Sequence, residues 1–175
     1  MSDTLQKIVL EETKIANVSW SVCLHDAQGH VLAELDAGAS LPTASVGKLL
    51  LMIEVALQYQ MGSIARDDLL SRNPSVAVEN SGILQYLRQD SYPVEDLVIL
   101  VASVSDNYAT NILLEHIGLS RIHQLTIELG LKSTSLLDRV RNDRGGRTSP
   151  MPFGRIRARA DQLHGCHQGR ETDLS

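Results

Sequence analysis

Ser45-Val46-Gly47-Lys48-Leu49-Leu50-Leu51-Met52-Ile53 joins a hydroxyl, an amine three places on and the most apolar run of a 175-residue chain. Val55, Ala56 and Leu57 extend that run, so a helix over about 45–60 is expected, apolar almost all round and therefore buried. Pro42 and Thr43 lead into it. Helical spacing sets Ser45 and Lys48 on one face, a turn apart. A helix mouth leaves backbone N–H groups free, which favours negative charge developing beside Ser45. An amine at the edge of a buried helix is partly desolvated, which lowers its pKa and makes it a usable base. A serine hydroxyl needs such a base to attack a carbonyl at neutral pH.

Ser105-Asp106-Asn107 interrupts a second apolar pattern made by Leu97, Val98, Leu100 and Val101. It reads as a tight turn that offers another hydroxyl and a side-chain amide. Each motif alone is common by chance, and the second is equally an ordinary helix start with Asp106 as its cap. Their order, their spacing and the buried helix after the first make the pair far more specific. Together they describe an acyl-transfer site.

The rest of the chain supplies a frame. Leu5, Ile8, Val9 and Ile15 predict an opening amphipathic helix over 3–15. Val18 to His25 reads as a strand with Val18, Trp20, Val22 and Leu24 on one face. Asp26-Ala27-Gln28-Gly29 gives turn chemistry and His30 to Leu35 the returning strand, which makes a hairpin. Residues 66–87 read as shorter helices joined by polar turns, and Pro93 as the first turn of the next helix. Ala109, Ile112, Leu113 and Ile117 mark a helix ending at Gly118, and Ile122, Leu125, Thr126 and Leu129 another ending at Gly130. The expected class is α/β, in the α+β sandwich sense: a helical subdomain beside an antiparallel sheet.

Residues 1–145 are expected to form the domain. From Gly146 to Ser175 the character changes, with Arg147, Arg155, Arg157, Arg159 and Arg170 scattered among Gly, His, Gln and Pro and no periodicity. Two readings of this tail stand. It is a flexible basic extension, or it is translated in a shifted frame, since codons read one base later permit a capped, amphipathic string.

Several function classes are disfavoured. The formal net charge of −5 argues against nucleic acid as a partner. No Gly-rich phosphate loop or paired Cys/His metal motif is present. Cys23 and Cys166 have no framework spacing, and Cys23 is expected as a buried small apolar residue. His25 and His30 flank the hairpin turn and are expected to be solvated, and His116 and His123 have no carboxylate at metal spacing. Tyr108 is expected to be structural, at the border of the pocket. Met1 to Lys14 is polar and acidic without an export signal, and no apolar run reaches the roughly 18 residues of a membrane span. The expectation is a cytoplasmic protein acting on a small molecule, with no membrane contact and self-association through an exposed strand edge.

From about Val18 to Arg144 the chain resembles the active-site serine β-lactamases of class A and their penicillin-binding relatives. The landmarks are Ser45-Val46-Gly47-Lys48, Ser105-Asp106-Asn107 followed by Ala109-Thr110-Asn111-Ile112-Leu113-Leu114, and Leu137-Asp138-Arg139. The resemblance implies Ser45 as the acylated nucleophile, with its N–H as half of the oxyanion hole, and Lys48 as its proton acceptor. It implies Ser105 as the relay toward the leaving nitrogen and Asn107 as the holder of the substrate's side-chain amide. Asp106 would brace the turn, and Arg139 would anchor the loop that carries the deacylating water. β-Lactams are the implied substrate class, and no metal or organic cofactor is needed.

Two departures qualify it. Where class A enzymes place the water-activating glutamate, this chain has Arg141, which cannot serve as a general base. Glu115 and Glu128 lie elsewhere on helices. No Lys-Thr-Gly follows Ser105, and of the family's five strands only the first hairpin is expected here. Impaired hydrolysis is the consequence. The alternatives are a serine hydrolase of other amides or esters, and a non-catalytic remnant that binds ligand.

Overall fold

The computed structural model describes residues 2–14, 18–79, 81–141 and 154–157. Two compact units divide between Leu41 and Pro42 and again between Arg155 and Ile156, boundaries the sequence does not mark.

In the N-terminal unit, helix α1 (Ser2–Glu12) accompanies an antiparallel hairpin of β1 (Val22–His25) and β2 (Val31–Leu35). Gln6 clamps helix to strand, its amide donating to Glu34 O at 2.9 Å and accepting from Glu34 N at 2.9 Å. The strand begins at Val22 rather than Val18, because the ladder runs only from Val22↔Leu35 to His25↔Val31. Val18 and Trp20, outside that ladder, are exposed. Cys23 is half-buried rather than buried, with its sulfur 2.9 Å from His25 Nε2. His25 is likewise half-buried and bonded, whereas His30 is exposed and pairs with Asp26.

The short strand β3 (Ser40–Pro42) runs across the first boundary, and the second unit is mainly helical. A one-turn 3₁₀ helix over Ala44–Gly47 leads into α2 (Lys48–Met61). β4 (Leu69–Ser71) pairs antiparallel with β5 (Ser91–Pro93), and two 3₁₀ turns, Pro74–Val76 and Leu84–Tyr86, fill the segment expected to hold short helices. Pro93 thus ends a strand and precedes α3 (Val94–Val104). Next come α4 (Asn107–Ile117), α5 (Leu119–Glu128) and the short β6 (Ser135–Leu136). β6 pairs with β7 (Gly154–Arg157) through Ser135↔Arg155 and Leu136↔Gly154. β7 lies in the stretch read as aperiodic; its Arg-Ile-Arg alternation is too short to register in sequence. The remainder of the 146–175 tail, Cys166 included, lies outside the described residues.

α4 is the axis of this unit, with every residue from Tyr108 to Leu114 buried. Leu51, Val55, Leu84, Val94, Leu97 and Ile122 pack around it in one core. Burying each of those leucines is worth about 2 kcal/mol before entropy is counted. The picture of α2 as apolar all round needs correction. It buries Glu54 completely, where Oε1 accepts from Arg121 Nε at 2.9 Å and Gln58 Nε2 at 2.7 Å. Leu49 and Ile53 meanwhile face outward, 56% and 41% exposed. A run apolar on both sides does not reveal which side is covered.

Candidate active site

Ser45 stands in the 3₁₀ turn and Lys48 opens α2, so the two are joined by a tight turn rather than by α-helix. Ala44, immediately before Ser45, has φ +43°. Ser105 itself has φ +54° and closes α3: its N–H donates to Val101 O at 3.1 Å, and Asp106 N–H donates to Leu100 O at 3.2 Å. That closure ordinarily takes glycine at the left-handed position. Ala44, Ser105 and Asp36 are the non-glycine residues with positive φ among those described. Two of the three therefore sit at the paired serines, a concentration of backbone strain of the kind found where geometry serves chemistry.

Lys48 connects the two elements. It is 4% exposed, and its Nζ donates to Ser105 O at 2.6 Å, Ser105 Oγ at 2.8 Å and Asn107 Oδ1 at 2.7 Å. All three ammonium donors are used. Ser105 Oγ in turn donates to Ser45 Oγ at 2.9 Å. Burial pulls the Lys48 amine from its ordinary 10.5 to about 8, against the opposing charge of Asp106. Ser45 is exposed at the open end of this relay.

Asp106 braces the turn from within. It is 1% exposed. One carboxylate oxygen caps α4 by accepting from Ala109 N at 2.9 Å, and the other accepts from Ile83 N at 2.7 Å and Leu84 N at 2.8 Å. The segment it grips also meets the motif through Asn107 N, which donates to Ser81 O at 3.0 Å. Gly82 makes the approach possible. At its φ of +102°, a Cβ would lie 2.2 Å from the Asp106 carboxyl carbon and 2.5 Å from its Cα. Sequence reading missed Gly82, although a glycine amid polar turn residues was available as a signal.

One turn into α4 stands Asn111, a landmark of the sequence to which no role is assigned there. Its amide donates to Val76 O at 3.0 Å and Val140 O at 2.8 Å and accepts from Val140 N at 2.9 Å. An amide on a helix buried all round was the available clue. Asn111 thus ties Val140, in the segment that Arg139 is expected to anchor, to α4. Arg139 is exposed, and its backbone N–H donates to Asp138 Oδ1 at 2.7 Å. Arg141 is exposed too and pairs with Asp138. Tyr108 lies buried under the Arg72 guanidinium, 5.4 Å from the ring centre, and borders a cleft of about 600 Å³ with Gln85 and Tyr86. Among the described residues no cluster of His, Cys, Asp and Glu suits a metal ion, and no helix is long and apolar enough to cross a membrane.

Comparison with known proteins bears on this arrangement. A beta-lactamase from Sphaerobacter thermophilus is 24% identical, with a TM-score of 0.75 over 87% of this chain and 57% of its own. A beta lactamase from Xanthomonas campestris pv. campestris is 20% identical, with a TM-score of 0.76 over 91% of this chain and 60% of its own. PBP-A gives 21% and 0.68, over 79% and 52%. The chain thus spans between half and three-fifths of the length of these structures, and at such identities the likeness speaks to fold. No curated protein sequence matches it. The model of the beta-lactamase enzyme family matches residues 1–169, which takes in both units, the two serines and the lysine between them. On that match the chain belongs to the beta-lactamase enzyme family.

Proposed function

We propose that this protein is a serine acyltransferase of the β-lactam-recognising kind, in which Ser45 is acylated by a β-lactam or a related amide. The observation that carries the reading is the relay from Ser45 Oγ through Ser105 Oγ to the buried Lys48 Nζ, at 2.9 and 2.8 Å. With the amine held near 8, roughly a tenth of it is neutral at pH 7 and able to take a proton. Ser45 Oγ attacks the carbonyl carbon as its proton passes through the Ser105 hydroxyl to Lys48. Collapse of the tetrahedral adduct breaks the C–N bond, and the same relay run backwards protonates the departing nitrogen. Asn107, its Oδ1 on Lys48, presents its amide N–H to the substrate side chain. The Ser45 backbone N–H supplies one oxyanion donor. A PBP-A variant, 20% identical, has been solved as its acyl-enzyme complex with penicillin G, which supports that substrate class for this site.

Deacylation is the weak step in this reading. Arg141 occupies the place where the resemblance puts a carboxylate base, and a guanidinium cannot activate water. The acyl-enzyme is therefore long-lived. The net charge of −5 fits a small-molecule ligand better than nucleic acid. Incubation with a fluorescent penicillin, read by intact mass, tests the reading. The expected result is one stable adduct on the native chain and none on Ser45→Ala. Absence of any adduct overturns acylation and favours the second reading, a chain that binds such amides without reacting. Rapid turnover of a chromogenic cephalosporin overturns the arrested deacylation.

A further inference from the structure

We propose that Cys23 is a nucleophilic thiol that exchanges with low-molecular-mass disulfides, with His25 as its proton acceptor. Residues two apart on a strand share a face, and Cys23 Sγ lies 2.9 Å from His25 Nε2. On the other side of the ring, His25 Nδ1 lies 3.0 Å from Gly29 O. A carbonyl oxygen only accepts, so Nδ1 carries the hydrogen and Nε2 of the neutral ring presents a lone pair to the thiol. After the proton crosses, Nδ1 still donates to Gly29 O and Nε2 donates to the thiolate. Both protonation states are thus satisfied without any side chain turning. Nucleophile, base and a third group that orients the base are the three parts an activated nucleophile requires.

The hairpin holds these parts in place. Asp26 Oδ1 accepts from Gln28 N at 2.9 Å and His30 N at 2.8 Å, and Gly29 N donates to Asp26 O at 3.1 Å. This fixes the carbonyl that sets the tautomer. The ladder shifts between Leu24 and His25, so that His25 stands opposite Val31. The extra residue, Leu32, lies on β2, so β1 keeps its alternation and Cys23 and His25 stay on one face. Both Cys23 and His25 are half-buried, so neither residue is sealed inside the unit. Glu34, directly opposite Cys23 in the ladder and exposed, puts a carboxylate on the same face and favours a cationic disulfide.

In the step itself the Cys23 sulfur attacks one sulfur of R–S–S–R. A new S–S bond to Cys23 forms, the old one breaks, and R–S⁻ leaves to take up a proton. The thiol proton moves to His25 Nε2. Cys23 is oxidised and half of the reagent is reduced to a thiol. The step uses neither Ser45 nor Lys48, so it stands apart from the acylation chemistry.

The test uses cystamine on the full chain carrying Cys166→Ser at pH 7, read by intact mass and peptide mapping. Only a few per cent of an ordinary thiol is ionised at that pH, so a built-in base raises the rate about tenfold over N-acetylcysteine amide. His25→Asn, whose side-chain amide can still donate to Gly29 O, brings the rate back to that of the free thiol. A native rate no higher than the free thiol's overturns the proposal without recourse to the variant. So does a rate that His25→Asn leaves unchanged while circular dichroism shows the fold intact.

Discussion

The junction of α2 with α4 and the segment Leu137–Arg141 are both held by polar side chains at the N-terminal end of α4, yet they are built on opposite terms. At the junction, Lys48 and Asp106 are buried, and the partners of their charged atoms are fixed at hydrogen-bond distance from two separate stretches of chain, residues 83–84 and 105–109. In the other segment Leu137, Arg139 and Arg141 are exposed, and the Asn111 amide holds the backbone of Val140. Burying a charge is costly unless it is paired and bonded, and a half-satisfied network is worse than none. The junction therefore has one geometry and fails as a unit when any part is removed. The exposed segment tolerates exchange, and its identity bears on chemistry more than on folding.

The largest departure should come from Asp106→Ala, which strands the N–H groups of Ile83, Leu84 and Ala109 in the interior. Urea titration should show a loss of about 4 kcal/mol, with penicillin labelling of Ser45 lost in parallel. Gly82→Ala should follow, at about 3 kcal/mol, since the added carbon meets both carboxyl and backbone of Asp106 at a positive φ. Unaltered stability and labelling in that variant would break the picture of a single rigid junction.

Lys48 gives a smaller and pH-dependent effect. Its folded pKa, about 8, lies below the ordinary 10.5, so between those values the unfolded chain holds more protons and stability rises with pH. The contribution is absent below about pH 8 and complete above about 10.5, and amounts to about 2 kcal/mol once residual solvent screening is allowed for. Subtracting the same titration of Lys48→Met isolates it; a difference that stays flat across that window would contradict the buried amine. The labelling rate should climb with pH toward a plateau above about 8, as the neutral base forms.

Arg141→Glu should change stability least, by about 0.5 kcal/mol, because the side chain is exposed and an exposed ion pair with Asp138 is worth little. Its effect belongs to the acyl-enzyme. The adduct on Ser45 should decay faster than in the native chain, as mass spectrometry over time would show. An equally stable adduct would mean that more than one missing carboxylate stalls the second step.

Local chemistry along the chain specified a good deal by itself. The Ser-x-x-Lys turn, the Ser-Asp-Asn closure, the hairpin turn at Asp26–Gly29 and the helices ending at Gly118 and Gly130 all rest on contacts between residues a few places apart. Such features are legible because the interacting groups are written next to one another. Tertiary structure decided the rest. It put Glu54 inside and Leu49 outside on a helix apolar on both sides, and it cut the first strand to the four residues that find a partner. It also tied Val140 to Asn111, 29 residues earlier in the chain. Each of those outcomes depends on which distant surface arrives to cover, bond or leave open a given side chain, and periodicity carries no record of that.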